Sequence, residues 1–317
     1  MITIPKKVLV TGCAGFIGSH LSEALIDKGF RVIGIDCFTE YYDRKLKERN
    51  LSSLLSCKDF TFMEEDLMEA PLELYLKDID YVFHQAGQPG VRGSWGAQFD
   101  IYVKNNVLAT QRLLEIVKDF NIKKFIYASS SSIYGNVDTL PMKESQLPRP
   151  FSPYGMTKLA AEQLCNLYFE NYGVPTVALR YFTVYGPRQR PEMAMNTFIK
   201  AILNDTCLSI YGDGNQRRDF TYIDDIVKAN LLAMESSVEG EVFNVGSNRP
   251  IKLIEVIRIL EKIVGKKTKM KFMPKQEGDV RDTYAHIKKI KESFGYEASV
   301  DIEKGLANQV DYIKSIL

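Results

Sequence analysis

Through the first 180 residues, short apolar runs alternate with stretches whose apolar positions recur every three or four residues. Residues 7–11 (KVLVT) have the length and apolar character of a strand. Phe16, Ile17, Leu21, Leu25 and Ile26 then follow at helical spacing, and Gly29 suits the helix stop. Residues 31–36 (RVIGID), 60–63 (FTFM) and 81–84 (YVFH) read as three more strands. Residues 100–120 read as a long helix, 124–128 (KFIYA) as a fifth strand and 176–180 (TVALR) as a sixth. Between these two strands a helix opens at Pro153, with Ser152 placed to cap it and proline at the position it favours. Strand and helix in alternation predict an α/β fold, a doubly wound parallel sheet of the Rossmann kind. Ligands collect at the carboxyl ends of such strands.

After about residue 181 the pattern changes. YFTVYGPRQRPEM is irregular and rich in Pro and Arg. Residues 196–203 look helical, and 208–211 form a short strand before the turn GDGN and the segment QRRDFTYIDD. A helix (226–234), a strand (241–245), a helix (253–264), a strand (269–272) and a closing helix (302–316) complete the expectation. No repeat, low-complexity tract or linker separates this part, so the smaller mixed α/β unit is expected to be woven onto the first.

Composition narrows the classes. With 45% hydrophobic and 26% charged residues and a net charge of +1, the chain reads as soluble and globular, with neither nucleic acid nor a membrane surface expected as partner. Its five cysteines are scattered without a paired spacing and it has only three histidines, so a disulfide frame and a metal centre are not expected. The sequence enters its first strand almost at once and has no apolar run of membrane-spanning length. The cytoplasm is the expected location.

The strongest local chemistry lies at the strand ends. Gly12, Gly15 and Gly18 follow the first strand and open the first helix, leaving bare backbone N–H groups and the positive helix end where a pyrophosphate can sit. Asp36 closes the second strand about twenty residues further on, where a carboxylate takes ribose hydroxyls and repels a 2′-phosphate. This order favours NAD over NADP. Asp66 and Leu67 follow the third strand, and HQAGQPGVRGSW follows the fourth, its small residues allowing close approach to backbone. His84, at a buried strand end, reads as a packed, hydrogen-bonded histidine and not as a catalyst.

The fifth strand runs into four hydroxyls, Ser129 to Ser132. On the following helix Tyr154 and Lys158 stand one turn apart on one face. A phenol beside an ammonium, faced by a serine, is a proton-transfer device, and the positive charge is expected to lower the phenol from near 10 toward neutrality. Tyr41 with Lys45 and Tyr284 with Lys288 share the interval but lack the serine run. Arg188, Arg190, Arg217, Arg218 and Arg281 gather in loops, as solvated charge or as bidentate donors for a diphosphate and a carboxylate. Arg218, beside the aromatic run 220–222, is the best placed of them.

These residues together resemble the extended short-chain dehydrogenase/reductases. The glycine spacing, Asp36, the serine run before Tyr134 and Gly135, and the Tyr154/Lys158 pair carry the resemblance. RDFTYIDD, FNVGS and GDVRDTY extend it over nearly the whole chain. Within that group the sequence looks like the nucleotide-sugar 4-epimerases of the UDP-glucuronate type, most specifically in GQPGVRGSW and LRYFTVYGPRQRPEMA. The related 4,6-dehydratases carry an Asp-Glu pair just before the position of Tyr134, and the decarboxylases a Glu two residues before it. Here Ser131 and Ser132 stand there. Thr183 replaces the Asn of the glucose/galactose enzymes.

The resemblance implies a reaction and a set of sites. Tyr154, Lys158 and Ser130 would move the proton of the sugar 4-hydroxyl while hydride passes to a resident NAD and returns to the opposite face of a 4-keto sugar. The cofactor would be regenerated each turn. Gly12, Gly15, Phe16, Ile17, Gly18, Asp36, Asp66, Leu67, Gln85, Ala86, Gly87, Asn105 and Lys158 would hold NAD. Ser131, Ser132, Thr183 and Arg190 would grip the uronate carboxylate near Tyr154. Arg218, Asp279 and Arg281 would hold the UDP part, with Tyr211 near the uracil. Residues 1–181 plus about 217–245 would form the NAD-binding unit, and about 182–216 plus 246–317 the UDP-sugar-binding unit. A homodimer is expected through the two helices near 100–120 and Tyr154, with Leu108, Leu113, Leu114, Ile116 and Leu164 as apolar candidates or as packing on the sheet. An epimerase for neutral UDP-hexoses or pentoses, a net oxidoreductase and a non-catalytic NAD-binding sensor or scaffold are the alternatives.

Overall fold

In the computed structural model, residues 6–317 are described; the expected direct entry of the chain into its first strand falls partly on residues 1–5, outside the described residues. The strands are β1 Lys7–Thr11, β2 Arg31–Ile35, β3 Phe60–Met63, β4 Ile79–His84, β5 Lys124–Ser130, β6 Thr176–Tyr181, β7 Thr183–Tyr185, β8 Leu208–Tyr211, β9 Arg217–Tyr222, β10 Glu241–Val245, β11 Pro250–Lys252 and β12 Met270–Met273. Seven of them form one sheet in the order β10-β6-β5-β4-β1-β2-β3, with every pair parallel. The order reverses beside β1, and the crevice at such a switch point is where doubly wound folds bind ligands.

Alternation along each strand feeds two apolar layers. Val8 and Val10 pack with Val32, Phe83, Ile126 and Val177 on one face; Leu9 packs with Val82, Phe125, Tyr127 and Ala178 on the other. Helices Phe16–Asp27 and Ile223–Glu235 cover the first face, through Leu21, Leu25, Ile226 and Ala233. Helices Ala109–Val117 and Pro153–Tyr172 cover the second, through Leu113, Leu114, Ala161 and Cys165. Each large apolar side chain fully buried in this way contributes about 1.5–3 kcal/mol. The first layer continues without a break into the second region, where Phe198, Ile199, Leu260 and Val310 join it.

The remaining strands make a three-stranded sheet, β11-β9-β7, and a parallel pair, β12-β8. β9 pairs with β7 and β11, and the chain returns to the large sheet through the helix Ile223–Glu235. Three differences from expectation bear most on the site and its surroundings. Helix Arg44–Leu55 buries Lys47 and Asn50 alongside Leu51 and Leu54, so it has no clean apolar stripe to read. The helix expected over 100–120 is Phe99–Tyr102, a π-helical segment Val103–Leu108, and Ala109–Val117. Residues 183–185, expected as irregular, are strand β7. Among the described residues no helix is long and apolar enough to cross a membrane.

Candidate active site

The turn after β1 is built by close approach. Gly12 has φ +71, and a Cβ there would lie 2.7 Å from the backbone nitrogen of Ala86. A Cβ on Gly18 would lie 2.1 Å from the Gly12 carbonyl oxygen. Side chains at these positions would push the turn off the HQAG segment and the helix off the strand. The helix that begins at Phe16 has no side-chain cap and no acid in its first turn, so its N-terminal N–H groups face the cleft as free donors. Asp36, at the end of β2, accepts N–H bonds from Ala14 (3.1 Å) and Phe38 (2.8 Å). Burial raises its carboxyl above the ordinary range, with Lys47 opposing.

These groups open onto one cleft at the carboxyl edge of the sheet, about 1180 Å³ with the open solvent at its mouth included. Every residue expected to hold the cofactor lines it, from the glycine turn through Asp36, Asp66 and Leu67 to Gln85, Ala86, Gly87, Asn105 and Lys158. A glycine cradle that any Cβ would fill, the N–H donors of an uncapped helix end and an acceptor carboxylate at the second strand are the groups a dinucleotide requires.

Tyr154 and Lys158 line the same cleft from the helix Pro153–Tyr172. That helix begins as the sequence predicts: the Ser152 hydroxyl accepts the Gly155 N–H at 3.1 Å, with proline at its first position. A Cβ on Gly155 would lie 2.5 Å from the Ser132 carbonyl oxygen, so the helix start rests directly on the serine turn Ser131–Ile133. Ser130, at the end of β5, accepts the Ser132 N–H at 3.1 Å, and its hydroxyl lies beside the Tyr154 phenol.

The charges depart from expectation. Lys158 is buried with its ammonium 4.4 Å from the centre of the Tyr127 ring. Burial pushes it down to about 7, against the pull of Cys165 and Glu162. The Tyr154 phenol is raised above its ordinary value of 10 by burial, with the Ser130 hydrogen bond and the Arg190 charge pulling the other way. The expected lowering of the phenol by Lys158 is therefore absent from the chain alone. Both groups leave water here, and desolvation is the largest cause of each shift.

The expected substrate residues fall into two groups. Arg190 lines the cleft with Tyr154, its guanidinium bonded to Glu192 at 2.7 Å and lying 6.0 Å from the Tyr41 ring. Ser131 and Ser132 lie on the turn that carries Ser130, and Thr183 opens β7. Tyr211, Arg218, Asp279 and Arg281 belong to an outer cluster. There Arg218 donates to the carbonyls of Val280 (2.7 Å) and Arg281 (2.6 Å), so it braces the 280–281 backbone and does not stand free. Asp279 accepts a bond from Arg92 at 2.7 Å, and that guanidinium stacks 4.3 Å from the Tyr211 ring.

No pattern in the sequence marks Arg92, although it lies in the GQPGVRGSW segment. Tyr41, Tyr42, Lys47, Gln88 and Asn106 were missed as well. The first three come from the loop and helix after Asp36; an aromatic pair right after the acid was the available signal. Asn106 sits in the π-helical segment and bonds both backbone groups of Gln88 (2.7 and 3.0 Å) and the Thr157 hydroxyl (2.9 Å). His84 is packed as expected: its two ring nitrogens bond Thr11 (2.8 Å) and Thr110 (2.9 Å), and burial pushes it down to about 3.

Comparison with known proteins agrees with this geometry. Residues 8–246 match the NAD dependent epimerase/dehydratase family. A crystal structure of UDP-glucuronic acid 4-epimerase from Bacillus cereus, in complex with UDP-glucuronic acid and NAD, superposes with a TM-score of 0.96 at 45% identity, covering 98% of this chain and all of that one (100%). An uncharacterized UDP-glucose epimerase of Bacillus subtilis (strain 168) is 44% identical over 312 residues, 98% of each chain. A UDP-glucuronate 4-epimerase of Thermodesulfobacterium geofontis is 38% identical over 312 residues, 96% of this chain and 95% of the relative.

Proposed function

The chain belongs to the NAD dependent epimerase/dehydratase family, and we propose that it interconverts UDP-glucuronate and UDP-galacturonate by inverting carbon 4. It is an isomerase that uses NAD. The observation that carries this reading is the convergence of Tyr154, Lys158 and Arg190 on the same cleft as the glycine turn and Asp36. NAD, when bound, supplies a reversible hydride acceptor. Tyr154 takes the proton of the sugar 4-hydroxyl and returns it, and the Ser130 hydroxyl beside the phenol orients that proton. Lys158 supplies positive charge beneath the phenol. The cofactor is regenerated each cycle, so no net redox change accompanies turnover.

A 4-keto uronate is a β-keto acid and loses carbon dioxide when its carboxylate bond aligns with the carbonyl π system. Ser131, Ser132, Thr183 and Arg190 hold the carboxylate out of that alignment. No acid stands on the serine turn to assist elimination. The UDP part is held by the loop bearing Asp279 and Arg281, which Arg218 braces, with Tyr211 and Arg92 beside the base. One observation favours neutral UDP-hexoses as a second reading: the Arg190 guanidinium is already bonded to Glu192 at 2.7 Å, which offsets the charge a uronate requires.

Two further expectations stand as part of the proposal. The protein works as a homodimer through the outer faces of the two helices near Tyr154, where Ile101, Leu108, Met156, Leu167 and Tyr172 are exposed; Leu113 and Leu114 are fully buried and pack on the sheet instead. Its cysteines are free, as suits a reducing cytoplasm. Separate incubations with UDP-glucuronate, UDP-galacturonate and UDP-glucose, followed by chromatography, test the reading. Convergence of the two uronates on one mixture is expected; turnover of UDP-glucose alone would overturn the uronate assignment.

A further inference from the structure

Beneath the catalytic serines lies a buried polar rung that the reaction, as described, does not use. Ser129, Arg180 and Asn244 stand opposite one another on β5, β6 and β10. The Arg180 guanidinium forks onto Glu162, at 3.0 Å from Nε to Oε2 and 2.7 Å from Nη2 to Oε1. The Ser129 hydroxyl donates to the same Oε2 at 2.6 Å. A third arm of Arg180 donates to the Tyr134 hydroxyl at 2.7 Å, and that hydroxyl donates to Asn244 at 2.7 Å. Glu162 and Arg180 are 1% and 3% exposed.

A buried ion pair is a poor source of stability, because desolvation consumes most of its attraction, and apolar residues of similar volume serve a core as well. What this pair does have is position. Glu162 follows Lys158 by one helical turn, and Ser129 immediately precedes Ser130. The carboxylate therefore ties the helix that carries Tyr154 and Lys158 to the strand end that carries Ser130. We infer that Glu162, fixed by the Arg180 fork, is a positioning residue that holds Ser130 and Lys158 in register with the Tyr154 phenol.

The groups that face Lys158 are His84 and Tyr127 from the sheet, and Glu162 and Cys165 from its own helix. Of these, Glu162 is the only carboxylate. Its distance from the ammonium is set by the fork and by Ser129. Losing the fork frees the carboxylate, shifts the strand end and moves the Ser130 hydroxyl relative to the phenol that it helps stabilise as phenolate.

The test is Arg180→Lys, which keeps the charge and removes the fork. The kinetic arm rests on the proposed reaction and uses whichever UDP-sugar the parent turns over. At matched NAD occupancy, kcat is expected to fall by about tenfold or more with KM changed by less than about twofold. The second arm needs no substrate. Ultraviolet titration of the NAD-loaded protein, against a Tyr154→Phe reference in each background, is expected to show the phenol midpoint rising by about half a pH unit or more. Glu162→Gln should move both readouts in the same direction, and Arg180→Lys decides if that variant does not fold. A lowered melting temperature with kcat and the phenol midpoint unchanged would overturn the inference and leave the rung a packing feature. A parent that turns over no UDP-sugar would contradict the reaction, and the titration would still decide the positioning role.

Discussion

Replacing Lys158 with methionine sets stability against activity in one substitution. The ammonium is buried over the Tyr127 ring, and its proton is held only to about 7 instead of the ordinary 10.5. At 1.36 kcal/mol per pH decade this displacement corresponds to about 5 kcal/mol of cost for carrying the charge in the native state. The unfolded chain keeps the proton up to about 10.5 and the native chain only to about 7, so between these values the unfolded state binds more protons. Stability from this group therefore rises as pH rises through that window, and the full cost is present below it. Methionine has nearly the same length and no charge. The gain on replacement is expected to be smaller than this cost, because the surroundings relax around the charge. Urea denaturation at pH 6.5 and at pH 9.5, at matched NAD occupancy, is the assay. Lys158→Met should be the more stable protein at the lower pH, with the gap narrowing at the higher. Its turnover should fall by about 10²–10⁴-fold, the scale of a lost acid–base group. A variant less stable than the parent at pH 6.5, or one that keeps its turnover, would refute the reasoning.

Three other substitutions probe separate parts of the site. Gly12→Ala combines a left-handed backbone with a Cβ 2.7 Å from the Ala86 nitrogen; it should cost about 2–4 kcal/mol in denaturation and leave the purified protein poor in NAD. Asp36→Ser removes the carboxylate at the ribose position; NAD affinity should fall by about tenfold and NADP affinity should rise, as equilibrium dialysis would show. Arg190→Ala should lower kcat/KM for UDP-glucuronate by about tenfold or more while changing that for UDP-glucose by less than about threefold. Equal losses on both sugars would remove Arg190 from the carboxylate grip.

The sequence carried the parallel sheet because each strand is a short apolar run with a chemical marker at its carboxyl end. β1, β3 and β10 begin and end where the pattern places them, and the helix start at Ser152 and Pro153 follows from capping alone. The cofactor cleft was legible for the same reason, since glycines and an acid at strand ends need no long-range information. What escaped depends on contacts between distant segments. Helix Arg44–Leu55 buries a lysine and an asparagine because they bond the backbone of Thr39 and Ala14, which no periodicity reveals. The π-helical segment arises where Asn106 must reach Gln88 and Thr157 together. The Tyr154 phenol is the clearest case: one-turn spacing predicts an attractive pair, whereas burial of both members decides their protonation.

On the proposed reaction, carbon 4 is inverted by removing and returning the same hydride. Proton NMR of the purified protein with UDP-glucuronate in deuterium oxide, with no cofactor added, tests this directly. UDP-galacturonate that keeps its hydrogen at carbon 4 is the predicted result. Deuterium at that carbon would contradict direct hydride return, and a UDP-pentose in its place would contradict protection of the 4-keto acid.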